Sequence, residues 1–398
     1  MGLRLRAPAV VPAAADAVLA AFDRQVAWCS QPSPFSARVL QRSRLWLQQP
    51  AAPQSQALAA LCQLGPDPLA AAVPLRWLAA LHLLALEGRA PWAAVWPSTA
   101  AVGLPVSGLP VSVLPVSVLP ANGQLANGQP ADGPPSDATL DAAINEAWRS
   151  QQASLRAALR LPPQTNEVQR SAALLPGLLH VVAHTGLPLA LLEIGASAGL
   201  NLWCDHYQHD HGLWAWTQAG PALVLRSEWQ GPPPPLSAAL HIASRAACDA
   251  HPVDLEDPRQ ARRLASFIWA DQADRLQRLR LALQVASAAM ARTGVRVQTA
   301  GAADFLPLQL KQRRPGRALV LMHSVVWQYI GAAEQADIDA QMQAAGSQAN
   351  ANAPLAWLRF EPPQPDQPVQ LRCRIWPDGS DHLLARCHPH GSHIEWLA

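Results

Sequence analysis

At 398 residues the chain is long enough for two or three folding units of about 100–200 residues each, with full hydrophobic cores. Half of the residues are hydrophobic and 15% are charged, which excludes a disordered polymer. Thirty basic against 28 acidic residues, with no Lys/Arg-rich run, removes the electrostatic footprint of a nucleic-acid binder.

The richest apolar stretch, residues 69–86, is interrupted by Pro74, Arg76 and His82, so no membrane span is expected. Near the N-terminus Arg4 and Arg6 resemble the start of a secretion signal, but Pro8, Pro12 and Asp16 interrupt the apolar run such a signal needs. The expectation is a cytoplasmic protein with neither membrane nor nucleic-acid partners. Six cysteines (Cys29, Cys62, Cys204, Cys248, Cys373 and Cys387) lie far apart without metal-ligand spacing and read as separate core thiols.

Residues 1–98 read as a helical N-terminal subdomain. Apolar positions recur every three or four residues in Asp16–Trp28, Phe35–Leu47, Gln54–Leu64 and Pro74–Leu86, and Trp77, Leu78, Leu81, Leu84 and Ala85 form a core stripe. Residues 99–138 then carry a five-residue repeat, LPVSG through QPADG. Proline at that period removes backbone donors and blocks helix, so this stretch is expected to be a low-complexity insertion without regular structure.

Residues 139–186 form a helical linker or cap. A helix over Ala138–Leu161 stops at Pro162 and Pro163, and a second over Ser171–His184 is opened by QTNEVQR, residues 164–170. Thr165 or Asn166 suits a helix cap, with the Glu167 acid near the positive end. The short connection from that helix to the next strand turns the polar group Gln164, Asn166, Glu167 and Arg170 toward the strand's C-terminal edge.

From residue 187 to 398 short apolar runs alternate with helical stretches, the pattern of a parallel sheet covered by helices. Strands are expected at Leu189–Ile194, Ala222–Arg226, His241–Arg245, Val295–Thr299, Ala318–His323 and Leu355–Phe360. Helices are expected near Leu200–Tyr207, Arg259–Arg292 and Ala333–Ala345. Val369–Trp376, His382–Cys387 and Ile394–Leu397 leave no room for crossover helices and predict an antiparallel hairpin or meander.

The segment LALLEIGASAGLNLW, residues 189–203, carries the chemistry. A buried strand ends in Glu193 and runs through Gly195, Ser197 and Gly199 into an expected helix, a turn where backbone approaches a ligand and helix N–H groups favour an anion. Glu-Ile-Gly-Ala-Ser-Ala-Gly resembles the first motif of class I S-adenosylmethionine-dependent methyltransferases, with Ser197 in place of the middle glycine. That resemblance implies an α/β fold, a Rossmann-like methyltransferase sheet with a C-terminal antiparallel hairpin, and S-adenosylmethionine as cofactor for methyl transfer to a small molecule. It further implies that Glu193, Gly195, Ser197, Gly199 and Asn201 hold the methionine end, Asp249 the ribose and Asp304 the adenine. His323 at a strand end and Glu167 are the candidate proton-handling groups, since an imidazole suits removal of a proton from a hydroxyl or amine. Gln164, Asn166 and Arg170 are the candidate substrate contacts.

A second resemblance covers nearly the whole chain. QTNEVQR, LLEIGASAGLNL, PVDLEDP, IWADQADRL, MHSVVWQYI and LLARCHPHGSHIEWL are similar to a bacterial family of unknown function, domain 2332, from which the chain departs in the repeat and at Ala302, where an Asp is expected. Two further readings stand beside methyl transfer. One is a noncatalytic S-adenosylmethionine-binding or interaction protein on the same fold. The other is a serine hydrolase, because Gly195-Ala-Ser197-Ala-Gly199 also spells a nucleophile elbow, with Glu361 and His388 or His390 in the required order. His388, His390 and His393 lack a carboxylate or thiolate arrangement for a metal and suit a turn-stabilising role.

Overall fold

The computed structural model describes residues 12–89, 92, 95–97, 134–218, 223–364 and 367–398. The repeat therefore lies outside the described residues as far as position 133. The chain divides into two compact units, one from the described part of 1–165 together with 256–280, the other from 166–255 and 281–398.

The first unit is helical. Helices Pro12–Cys29, Pro34–Leu47, Ala52–Cys62, Val73–Leu86 and Asp137–Arg160 follow the three- and four-residue apolar spacing of the sequence. Trp46, Trp77 and Trp148 meet ring to ring at 6.1–6.4 Å in its core. The single helix expected over Arg259–Arg292 is two, Pro258–Ser266 and Ala273–Thr293. The break has a visible cause. The Asp271 carboxylate accepts the Ser33 hydroxyl and the Phe35 amide (3.1 Å), serving the N-terminus of helix Pro34–Leu47 instead of continuing its own. His82 packs on the same piece, its Nδ1 3.1 Å from the Ser266 carbonyl. Residues 256–280, expected within the α/β domain, thus pack with the helices.

The second unit holds the sheet. Its strands are β1 (Leu189–Ile194), β2 (Gln208–Asp210), β3 (Ala215–Trp216), β4 (Val224–Leu225), β5 (Glu228–Gln230) and β6 (Ile242–Asp249). They continue as β7 (Val297–Thr299), β8 (Ala318–Ser324), β9 (Leu355–Glu361), β10 (Val369–Trp376), β11 (Ser380–Cys387) and β12 (His393–Trp396). Nine form one sheet in the order β5-β12-β11-β10-β9-β8-β1-β6-β7, while β3-β2-β4 make a small separate sheet. The five strands from β9 to β7 pair in parallel. β1 and β8 at the centre are almost wholly buried apolar runs, as parallel strands covered on both faces require.

From β1 the chain moves out through β6 and β7 and returns to β8 and β9 on the other side, so the direction of winding reverses between β1 and β8. Ligand crevices of open α/β sheets lie at the carboxyl ends of such a pair. The expected antiparallel meander is β10-β11-β12; it joins the parallel strands through an antiparallel β9–β10 pair, and β5 is added in parallel at its edge.

Two elements that follow parallel strands differ from expectation. Leu200–Tyr207 is a short 3-10 turn over Asn201–His206, kinked at Trp203, and Ala302–Leu310 forms a helix despite Pro307. The Tyr207 hydroxyl donates to the Leu200 carbonyl at 2.7 Å and ties the short turn closed, so no α-helix N-terminus comes after the glycine loop. Among the described residues no helix is long and apolar enough to cross a membrane.

Helix Ser171–Thr185 covers one face of the sheet. Gly177 lets it lie on β9, since a Cβ there would come within 2.6 Å of Leu358 Cδ1. Gly177→Val is therefore expected to destabilise the protein by about 1–3 kcal/mol through overpacking, read as a lower melting temperature in thermal denaturation.

Candidate functional site

β1 delivers the chain into the loop Gly195–Gly199, which takes left-handed backbone at Gly195 (φ 64°), Ser197 (φ 53°) and Gly199 (φ 70°). The glycines answer to neighbours. A Cβ at 195 would lie 2.2 Å from Val326 Cγ2, and one at 199 would lie 2.9 Å from Val297 Cγ2, so the bare backbone admits protein side chains. Ser197 has a Cβ and still adopts φ above zero, which is uncommon outside glycine and asparagine.

Hydrogen bonds hold it there. The Ser197 amide donates to Asp249 Oδ2 (2.8 Å), its carbonyl accepts the Val253 amide (3.1 Å), and the Ala196 amide donates to the Cys248 carbonyl (3.0 Å). Asp249 Oδ1 accepts the His251 amide at 2.8 Å, so the acid expected to take ribose hydroxyls pins the loop with both oxygens. The Leu200 amide donates to Asn166 Oδ1 at 3.0 Å, which brings QTNEVQR to the end of the loop.

The rest of QTNEVQR locks the surroundings. Arg170 donates from Nη1 to the Ser324 carbonyl and from Nε to the Pro389 carbonyl, both at 3.0 Å, and so joins the end of β8 to the turn before β12. Both of these bonds go to backbone, so Arg170 acts as a strut between the two segments. Glu167 is buried, accepts the Gln169 amide (3.3 Å) and lies 3.3 Å from His390 Nδ1. Gln169 reaches the Arg226 carbonyl and Ser227, whose hydroxyl donates to the Gly391 carbonyl at 2.6 Å. Gln164 falls in the helical unit, and Asp304 is exposed in the first turn of helix Ala302–Leu310, where Ala302 is buried. Neither belongs to the set of residues that these hydrogen bonds join.

Within this frame lie polar atoms without a partner among the described residues. Glu193 is 2% exposed and its Oε2 has no hydrogen-bond partner there; Ser197 Oγ and Asn201 Nδ2 are likewise buried and unpartnered. Asn201 is oriented by its other atom, Oδ1, which accepts the Ser171 hydroxyl at 2.8 Å. Burial pushes the Glu193 carboxyl up to about 8, helped by the neighbouring Asp249 charge and opposed by Arg170 and the Leu202 amide.

At the end of β8, His323 is 1% exposed and its Nδ1 lies 2.7 Å from Glu361 Oε1. Glu361 Oε1 also accepts the Val326 amide (3.0 Å), and the imidazole stacks on Trp327 at 5.1 Å and 20°. Among the described residues His323 Nε2 has no partner. With Nδ1–H donated to the carboxylate, Nε2 is the lone-pair nitrogen and suits accepting a proton. The sequence pointed to His323 but not to its acid. The signal was present in LAWLRFE, where the last alternating positions of an otherwise apolar strand are Arg359 and Glu361.

Of the residues an elbow reading would use, Glu361 binds His323, His390 lies against Glu167, and Ser197 Oγ is buried with no hydrogen-bond partner among the described residues. A fluorophosphonate probe is accordingly expected to leave Ser197 unlabelled, as read by peptide mass spectrometry.

Glu193 gives a second expectation. Between its unfolded value, about 4.5, and its folded value, about 8, the native carboxyl keeps a proton that the unfolded one has lost, so this contribution to stability falls as pH rises through that window. Glu193→Gln removes the slope. The melting temperature of the variant relative to the parent should climb between pH 5 and pH 8.

No curated protein and no solved structure matches the chain. A family model described as "Uncharacterized protein conserved in bacteria" matches residues 122–396, which takes in the whole network from Asn166 to the turn at Pro389. The chain belongs to that bacterial family, DUF2332.

Proposed function

We propose that this is a cytoplasmic protein whose α/β unit is a Rossmann-like methyltransferase domain. It binds S-adenosylmethionine at the carboxyl ends of β1 and β8 and promotes methyl transfer to a small molecule. The observation that carries the reading is the trio of buried, unpartnered atoms, Glu193 Oε2, Ser197 Oγ and Asn201 Nδ2, beside a strained loop at the point where the winding of the sheet reverses.

These residues fit the amino-acid end of such a cofactor: a carboxylate for the ammonium, and an amide donor and a hydroxyl for the carboxylate. Asp249 already accepts two amides, but a carboxylate has about four lone-pair sites, so capacity for ribose hydroxyls remains. When bound, the cofactor supplies a methyl group on a sulfonium, open to in-line displacement. The protein's own share is positioning and proton handling. Glu361 keeps the His323 ring in place and fixes the proton on Nδ1, leaving Nε2 to take a proton from an acceptor hydroxyl or amine. Asp249 and Asn166 hold the loop that carries Ser197, and Arg170 holds the end of β8.

Titration calorimetry should give one site per chain for S-adenosylmethionine and for S-adenosylhomocysteine. An ammonium seated on Glu193 needs the ionised carboxylate, so binding at pH 7 should release a proton, seen as heat that varies with the ionisation enthalpy of the buffer. Glu193→Gln should abolish that release and weaken binding about tenfold or more, roughly 1.4 kcal/mol. Absence of both heat and thermal shift with either ligand would end this reading. Binding without any S-adenosylhomocysteine formed on a small-molecule extract, in parent and His323→Ala alike, would leave the noncatalytic form of it.

A further inference from the structure

Beyond His323 the same face of the sheet continues with an unusual set of charges. Register puts His323 beside Arg359, Arg359 directly opposite Arg372, and Glu361 opposite Gln370. Arg374 stands opposite Asp381 on β11 and two residues from Arg372 on its own strand, which places the three guanidiniums on one surface next to the imidazole. Like charges directly opposed across a sheet are destabilising.

Only one carboxylate is shared among them. Asp381 binds Arg359 through Oδ1, while its Oδ2 lies 3.2 Å from Arg372 and 3.9 Å from Arg374. Burial pushes the Asp381 carboxyl up, yet Arg359 and Arg372 hold it below the usual carboxylate range, so it stays ionised. The other acid on this face among the described residues, Glu361, is engaged by His323 and the Val326 amide. Among those residues positive charge is left over. The side chains are 22%, 34% and 27% exposed, low enough to weaken hydration and high enough to be reached, and the Nε atoms of Arg359 and Arg374 are buried with no partner among the described residues. Arg359 also lies over the Trp357 ring at 5.0 Å, which fixes its plane.

The geometry points to Arg359, Arg372 and Arg374 as a docking site for an oxyanion of the acceptor substrate, a carboxylate or a phosphate, that presents the acceptor's nucleophile to His323 Nε2. Planar guanidiniums bind such groups in pairs of parallel hydrogen bonds, a geometry a lone lysine does not offer. Asp381 stands in for the anion by occupying part of the cluster. This inference rests on the proposed reading for the role of the site, but its anion-binding core can be tested without the cofactor.

The experiment titrates the full chain with inorganic phosphate and with succinate at constant ionic strength and without S-adenosylmethionine, read by calorimetry and thermal shift. At least one probe should saturate a single site below about 10 mM. Arg372→Gln and Arg374→Gln should each weaken it at least fivefold, whereas Asp381→Asn should tighten it at least threefold by freeing the guanidiniums. Arg386→Gln, whose parent side chain pairs with Glu395 at 3.1 Å, should change nothing. Which probe binds more tightly separates phosphate from carboxylate. Saturation by neither probe, or binding indifferent to both arginine variants, or weakening by Asp381→Asn, overturns the proposal. Arg374 has the longest of the three ion pairs to Asp381, at 3.9 Å, besides lying over the Trp376 ring at 5.8 Å, so Arg374→Gln keeps the test valid if Arg372→Gln does not fold. Anion binding without S-adenosylmethionine binding would sink the cofactor reading and leave this site standing.

Discussion

The Asp249 carboxylate is the fastening on which the candidate site depends. Ser197 sits in a left-handed conformation that a residue with a Cβ adopts only when its surroundings impose it, and Asp249 imposes it by accepting the Ser197 amide while also accepting that of His251. Because Asp249 ends β6 and the loop leaves β1, this hydrogen bond locks two adjacent parallel strands at their carboxyl ends. Everything downstream inherits that position: the Leu200 amide on Asn166, the Val326 side chain on Gly195, and the Asn201 side chain on Ser171.

Segments far apart in the chain converge there: the loop after β1, the polar run before helix Ser171–Thr185, the end of β8 with Glu361, and the turn that Gly391 lets approach the Gln169 carbonyl. Six of the buried polar atoms without partners among the described residues belong to this assembly, on Gln169, Glu193, Ser197, Asn201, His323 and Glu361. Each such atom costs about 1–3 kcal/mol unless something satisfies it. Each belongs to a residue whose backbone or other polar atom is already fixed, so these atoms are held in place and are not the product of loose packing.

The fold was legible where burial repeats with a simple period. β1 and β10 have the bounds expected for them, and the N-terminal helices kept to their apolar spacing to within a few residues. Legibility failed where tertiary partners override local preference. Helix Pro258–Ser266 ends early because Asp271 caps another helix, Leu200–Tyr207 is tied into a 3-10 turn by Tyr207, and β5 exists only because β12 lies beside it. The site was legible as residue types and not as partnerships. Glu193, Asp249, His323 and QTNEVQR stood out as polar residues among apolar ones. That Asp249 would bind amides, that Arg170 would bind carbonyls and that Glu361 would serve His323 depends on strand register, which no single stretch of sequence encodes.

Register also explains why the polar face lies beside His323. β9 alternates between two environments, with Leu358 under helix Ser171–Thr185 at Gly177 and Trp357 on the opposite face in a core with Ile338, Met342 and Trp376. On that opposite face the residues after Trp357 are Arg359 and Glu361, so the apolar cover ends as the strand approaches its carboxyl edge. β10 runs antiparallel and makes the same transition, from Trp376 to Arg374 and Arg372. Two strands of opposite direction thus lose their apolar cover over the same part of the sheet, and that part adjoins the end of β8. The two strands match because both send arginines to the one Asp381 carboxylate of β11, which gathers Arg359, Arg372 and Arg374 into a single cluster beside His323 and leaves like charges facing each other at Arg359 and Arg372.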